Sequence, residues 1–437
     1  MKLLFSIFVF VLSQHLFAEE VKGISIKDAI SMALKNNLEI KAEEYKKNIA
    51  LTDIDLIKGE TSTKITTTAG VGPINGKKGN YQGYTDTNTW GAEWIASIEA
   101  KIPLYLWGRG DNLKNAATLN SEIQDQDRIK KQNEVIFKVK EAFYGLQYTL
   151  SLYDFVKETE KDLSEAVKIL EEKKGKKEDL LRLEVFKYQV EEKRIEIEKS
   201  MKIAQMGLAF YLGLPKDQTF KIDREWIELD DRDLETLDFY QNLLLKNYPD
   251  LLKVAKGIEA KSQLLSSEKK SELPVIGALV KYDYAHTDQR TAQKNPFIVD
   301  AYNHSDVAVG VGLTWDLDFG VKKSKQDRLN YEIAELRSKE HFAKSGLSTL
   351  LTKSYYELEA AGQKNKALSK AYKSAKKWLS NVQTSVGLGL SPAKDIIDAY
   401  TTRALVYKDY YESIYNYQLA WGRLSEAVGT EVDPILK

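Results

Sequence analysis

The sequence predicts an α+β membrane protein in which long α-helical hairpins are joined to four transmembrane β-strands. Three observations carry that expectation. Two very long proline-free stretches have near-heptad apolar spacing, four segments alternate with period two, and the whole plan occurs twice along the 437 residues.

The N-terminus sets the compartment. Lys2 precedes an apolar run from Leu3 to Leu12, then Leu16-Phe17-Ala18 leads into Glu19-Glu20. A basic start, an apolar core and a small residue at the cut describe a secretory signal peptide, residues 1–18, cleaved after Ala18. That core is shorter than the ~20 residues a spanning helix needs. No second apolar run reaches that length, so passage through a membrane would require a β-barrel. Cysteine is absent, which excludes disulfides, thiol chemistry and a lipidated N-terminal cysteine. Basic and acidic residues balance at 64 each, so nothing points to a polyanionic partner such as nucleic acid.

The helices come next. Eight prolines leave Leu104–Leu214 and Phe297–Ser391 uninterrupted, and proline is excluded from helix interiors. Val139, Phe143, Leu146, Leu150 and Tyr153 step by fours and threes. Leu183, Val190, Ile197, Ala204 and Tyr211 recur every seven residues, and Ile397, Tyr400, Ala404, Tyr407, Tyr411 and Ile414 alternate threes and fours. Such spacing predicts coiled-coil-like packing. A helix from about Arg109 to Glu172 would be on the order of 95 Å long.

The strands follow a different period. Trp90, Ala92, Trp94, Ala96, Ile98, Ala100 and Ile102 alternate with polar or small residues, and so do Val307, Val309, Val311, Leu313, Trp315, Leu317 and Phe319. Weaker partners run from Thr63 to Val71 and from Val275 to Tyr284. One apolar face and one polar face suit a strand between lipid and a lumen, with Trp90, Trp94, Ile98, Val307, Val309, Val311 and Leu313 facing lipid. A half-buried strand in a soluble sandwich shows the same alternation. Gly/Asn/Thr/Asp-rich segments at 73–89 and 286–305 read as exposed loops. Four strands cannot close a barrel, so a spanning chain must oligomerise. Three copies would supply twelve strands.

The plan repeats after a little over two hundred residues. Ala33-Leu34-Lys35-Asn36-Asn37-Leu38-Glu39-Ile40 returns as Leu244-Leu245-Lys246-Asn247-Tyr248-Pro249-Asp250-Leu251. We therefore expect a first repeat at 19–215, an acidic connector at 216–239 and a second repeat at 240–437. Gly175 marks the turn of the first hairpin, and Gly387 and Gly389 that of the second.

Four further marks, in this order, resemble the TolC-like outer-membrane efflux protein family over nearly the whole mature chain. They are the helix from Ile26-Lys27-Asp28-Ala29-Ile30 to Leu38-Glu39-Ile40, the strand exit Ile102-Pro103-Leu104-Tyr105-Leu106-Trp107-Gly108-Arg109, the hairpin end Leu212-Gly213-Leu214-Pro215, and Ser385-Val386-Gly387 leading to Asp395-Ile396-Ile397-Asp398-Ala399. The resemblance implies a homotrimer with a twelve-stranded outer-membrane barrel and a periplasmic α-barrel, the outer-membrane channel of a tripartite efflux pump or type I secretion system. It implies a periplasmic adaptor (membrane fusion) protein and an inner-membrane transporter as partners. The adaptor would contact the hairpin tips at Lys173, Lys174, Gly175, Lys176 and Lys177 and at Val386, Gly387, Leu388 and Gly389. Asp395 and Asp398 match the family's aperture acids, and Asp179 is their counterpart in the first half. Carboxylates crowded at a constriction attract cations and repel anions. A local reading competes, with Ser391 as N-cap, Pro392 as the first helical residue and Asp395 in the first turn, where the helix dipole favours an acid. Thr384 and Gly389 stand where the family carries its closing aromatic and arginine, and Trp315-Asp316-Leu317-Asp318-Phe319-Gly320 departs from the usual proline-led strand exit.

Other residues carry less. His15, His286, His304 and His341 have no ligand spacing, so no metal site is expected, nor any cofactor. Tyr400, Tyr407, Tyr410, Tyr411, Tyr415 and Tyr417 read as interhelical packing with hydroxyls on the wet side. No arrangement has the context of catalysis. A passive porin and a soluble periplasmic coiled-coil scaffold remain the competing readings.

Overall fold

A computed structural model describes residues 23–80, 83–172, 176–215, 220–224, 226, 233–388, 390–434 and 436. The expected signal peptide, Lys173, Lys174, Gly175 and Gly389 lie outside the described residues. The elements are α1 (Ile26–Asn36), α2 (Leu38–Glu60), β1 (Lys64–Asn80), β2 (Gly83–Tyr105), α3 (Arg109–Glu172) and α4 (Lys177–Leu212). The same order follows again in α5 (Leu237–Asn247), α6 (Pro249–Lys270), β3 (Val275–His286), β4 (His304–Thr314), α7 (Val321–Gly387) and α8 (Ala393–Val428).

Local chemistry explains the boundaries. The Ser25 hydroxyl accepts the Asp28 N–H at 3.2 Å while the Asp28 carboxylate accepts the Ser25 N–H, a capping box that starts α1. Asn37 is extended and separates α1 from α2. At the equivalent point of the second half Tyr248 is extended and Pro249 opens α6, as expected for a residue placed before proline.

The chain divides into two compact units. The first combines the segment up to Asn37 with 132–237 and Leu351 onward. It is helical, built from α1, the later parts of α3 and α7, and all of α4 and α8. Val139, Phe143, Leu208, Leu212, Trp421 and Leu424 are buried. Phe155 and Tyr407 stack with centroids 4.0 Å apart. Gly213 ends α4 at φ +69°, a conformation that glycine adopts without a side-chain penalty. A Cβ there would come within 2.8 Å of the Asn36 Cβ, and the Asn36 amide donates to the Leu212 carbonyl at 3.2 Å.

The second unit comprises 38–131 and 238–350. Its four strands form one antiparallel sheet in the order β1-β2-β3-β4. Its helices are cross-linked by ion pairs, Lys47–Asp125 at 2.9 Å, Lys253–Asp127 at 2.6 Å and Lys261–Glu332 at 2.7 Å. Among the described residues no helix is long and apolar enough to cross a membrane.

The sheet corrects two expected boundaries. The stretch 73–89 is mostly paired strand rather than loop, since the ladder continues from Pro73↔Ala92 through a register shift to Asn80↔Gly83. Its glycines and polar residues still find backbone partners in the opposing strand, which composition alone does not reveal. β4 stops at Thr314 instead of reaching Phe319. The Trp315 indole donates to the Glu272 carbonyl at 2.8 Å, and the Asp318 carboxylate accepts the Lys322 N–H at 3.0 Å. Those bonds turn the chain out of the ladder and cap α7.

Candidate functional site

The sheet gathers most of its large apolar side chains on one face, with Ile95 and Leu279 as exceptions on the other. Its register opposes Ile98 to Tyr282 and Tyr282 to Val307, and Ala100 to Val280 and Val280 to Val309. Trp90, Trp94, Ile98, Val307, Val309, Val311 and Leu313 therefore share one face, and all are exposed, Trp90 at 72% and Val309 at 74%. Water solvates such a surface poorly, and soluble monomers rarely present one this continuous. The opposite face carries Glu93, Glu99, Lys101, Lys281 and Asp283 among Gly91, Gly277, Gly310 and Gly312. Glu99 lies in register with Lys281, and Lys101–Glu99 and Lys281–Asp283 pair at 2.7 and 2.6 Å. β1 and β4 are the outer strands of the sheet, and β1 has one further bridge, Lys77 to Arg290. At the strand exits two indoles are tied to the chain entering β3, Trp107 to the Pro274 carbonyl at 2.7 Å and Trp315 to that of Glu272.

The helical unit holds the expected tip residues. Asp179 and Asp395 occupy the same place, the third residue of α4 and of α8, and both are half-buried. Their N–H groups bond to the carbonyls of Lys176 and Pro392 at 3.0 and 3.1 Å. Asp398, one turn further on, is exposed. The N-cap of α8 is Pro392, at φ −72° and ψ 157°, not Ser391 as expected. Proline's fixed φ suits an extended cap position, and no side chain caps this end. Lys176 and Lys177 are exposed, as are Gly387 and Leu388, while Val386 is half-buried. At the end of α7 the Leu390 N–H reaches back to the Ser385 carbonyl at 2.9 Å.

Behind these tips all four helices meet. Leu163 of α3, Leu183 of α4, Leu379 of α7 and Ile396, Ala399 and Tyr400 of α8 form one buried cluster. A polar chain that the sequence did not announce borders it. Tyr400 donates to the Asp162 carboxylate at 3.5 Å and accepts from the Gln383 amide at 2.9 Å, linking α3, α8 and α7. Burial pushes the Tyr400 hydroxyl up to about 12, with the neighbouring Asp162 charge adding to the shift. Burial also raises the Asp162 carboxyl, helped by Glu158 and opposed by Arg403. Arg403 is itself buried, 5.1 Å from the Phe155 ring centre and 3.5 Å from Glu158. In sequence these residues look like solvated helix charges, and only Tyr400, placed on an apolar stripe, gave a sign. Among the described residues no cluster of three or more His, Asp or Glu side chains could hold a metal ion.

A sheet exposing its apolar face and helical hairpins of this length define the fold of the TolC-like outer-membrane channels. CmeC, an outer-membrane channel of Campylobacter jejuni, superposes with a TM-score of 0.74 at 12% identity, covering 93% of this chain and 86% of that one. The open state of the Neisseria gonorrhoeae outer-membrane channel MtrE gives 0.74 at 14% identity, covering 94% and 90%. The outer-membrane protein VceC of Vibrio cholerae gives 0.73 at 15%, covering 93% and 96%. No family model and no curated protein matches the sequence.

Proposed function

We propose that the chain is one protomer of a trimeric outer-membrane exit duct. In this reading three four-stranded sheets close a twelve-stranded barrel, the outer edge of β1 pairing with β4 of the next copy. The single observation that carries the reading is the sheet, which exposes a continuous row of large apolar residues on one face and ends in β1 and β4 as its outer strands. Lipid accepts the first, and closure satisfies the second. The likeness to solved outer-membrane channels supports it. The helical hairpins then form the periplasmic part, and their tips around Lys176, Lys177, Val386, Gly387 and Leu388 meet an adaptor that couples the duct to an inner-membrane transporter. Small molecules or polypeptides are the cargo, and the chain performs no chemistry on them.

Asp395, Asp398 and Asp179 are the aperture candidates. Three copies of Asp395 and Asp398 would gather six carboxylates, a site that binds divalent cations from the periplasmic side. The test is conductance in planar bilayers. Native protein should conduct as a trimer extracted only by detergent, and added divalent cations should block it. Asp395→Ala with Asp398→Ala should weaken that block by about ten-fold or more, as expected when a charge ring is removed. Unchanged block would discard the aperture assignment, and release from membranes by salt alone would discard the duct.

A further inference from the structure

The connection between β3 and β4, residues 287–303, does not extend away from the sheet. The Thr287 hydroxyl donates to the Ala92 carbonyl of β2 at 2.8 Å, and Thr287 is only 2% exposed. Gln289 follows, accepting the Lys77 N–H at its carbonyl (2.8 Å) and the Thr89 hydroxyl at its amide oxygen (2.9 Å). Arg290 donates to the Asn75 side chain at 3.1 Å and lies 4.9 Å from the Tyr302 ring centre. Thr291 accepts the Gly79 N–H at 3.0 Å. On the return leg the Asp300 carboxylate accepts three backbone N–H groups, those of Gln293, Tyr302 and Asn303, at 2.6–3.0 Å. The segment therefore crosses β2 onto β1 and is held at both legs.

Gly91 tells which face it covers. A Cβ at Gly91 would come within 2.4 Å of the Gln289 side chain. Gly91 alternates with Trp90 and Ala92, so it belongs to the face of Glu93 and Ser97, opposite Trp90, Trp94 and Ile98. Only glycine lets the crossing segment lie so close to the strand. At the far end of the segment, Asn295-Pro296-Phe297-Ile298-Val299 carries two large apolar side chains almost fully into the open, Phe297 at 94% and Val299 at 87%.

We infer that residues 287–303 form a fixed strap on the inner face of the barrel wall, and that Phe297 and Val299 of the three copies make an apolar constriction at its outer mouth. This inference rests on the trimeric-barrel reading. The strap leaves its own strands and runs toward the β1 edge, where the next copy would join, so its tip lies over the opening rather than over lipid. An apolar ring resists wetting and hinders ions more than its width alone would. The backbone and side-chain bonds on both legs distinguish it from a loose surface loop.

The chain has no cysteine, so Phe297→Cys gives each subunit a single thiol. Full-length trimers carrying it should lose conductance in up to three steps when a cationic methanethiosulfonate reagent is added from the outer side. Asp86→Cys, on the β1–β2 hairpin, should label with no such steps. Phe297→Ser combined with Val299→Ser should raise conductance by about two-fold or more, as expected for a widened, wettable rim. Gly91→Leu, which displaces Gln289, should do the same. If Phe297→Cys labels completely by mass spectrometry and conductance is unchanged, the strap is not a constriction although the duct stands. If the native protein forms no conducting trimer, both readings fall.

Discussion

The same chain treats its largest apolar residues in two opposite ways. In the helical unit Trp421 and Leu163 are fully buried, whereas on the sheet Trp90 and Val309 are 72% and 74% exposed. Both groups come from regular apolar patterns, one of period about 3.5 and one of period two. The helical stripes find their partners on other helices of the same chain, as the cluster of Leu163, Leu183, Leu379 and Ile396 shows. Among the described residues the sheet stripe stays exposed. Exposure on that scale in one unit, against ordinary burial in the other, marks a surface that water solvates poorly.

Truncation should separate the two regions most sharply. Leu163→Ala opens a cavity among four helices and should cost about 2–5 kcal/mol, seen as a lower midpoint in denaturant unfolding of the purified protein. Val309→Ala, made on the exposed face, should change that midpoint far less. Equal losses would mean that the sheet face is packed against protein. Charge insertion reverses the ranking within the sheet. Val309→Lys should cost about 2–4 kcal/mol if the face lies near mid-bilayer, measured as reduced recovery in the outer membrane. Gly310→Lys, one residue on and pointing to the other face where a Cβ meets open space, should be recovered normally. Equal recovery of the two variants would remove the case for a lipid-facing side.

The two periods explain what was legible beforehand. The unbroken apolar spacing between Pro103 and Pro215 leads directly to α3, observed at Arg109–Glu172, because a helix needs only its own residues to satisfy its backbone. Strand ends were harder to read, since pairing depends on the partner strand. The Gly- and Asn-rich ladder from Asn75 to Asn80 could not be told from a loop, and Trp315 leaves the sheet for a carbonyl 43 residues earlier. At the hairpins, the first-turn position of Asp395 was readable from Pro392 three residues before it. The chain of Gln383, Tyr400 and Asp162 was not, because it spans three helices and 238 residues between Tyr400 and Asp162.

That polar chain sharpens the comparison at smaller scale, since it is where the helical unit departs from an all-apolar interior. Tyr400→Phe removes one hydroxyl that both donates and accepts, and should cost about 1 kcal/mol. A comparable Tyr84→Phe on β2, where Tyr84 is 67% exposed, should cost nearly nothing. The pH dependence has a definite sign. The folded state holds the Asp162 carboxyl above its ordinary value of 3.8, burial being the main cause, so the ionised form is the one that folding disfavours. Its destabilising effect is complete above the raised folded-state value and disappears as pH falls toward 3.8, because the folded state takes up the proton first. Asp162→Asn should therefore raise the unfolding midpoint at neutral pH and flatten its dependence between neutrality and about pH 4. A variant less stable at neutral pH than the native protein would show instead that Arg403 and Tyr400 outweigh burial, making the carboxylate a net support of the four-helix contact.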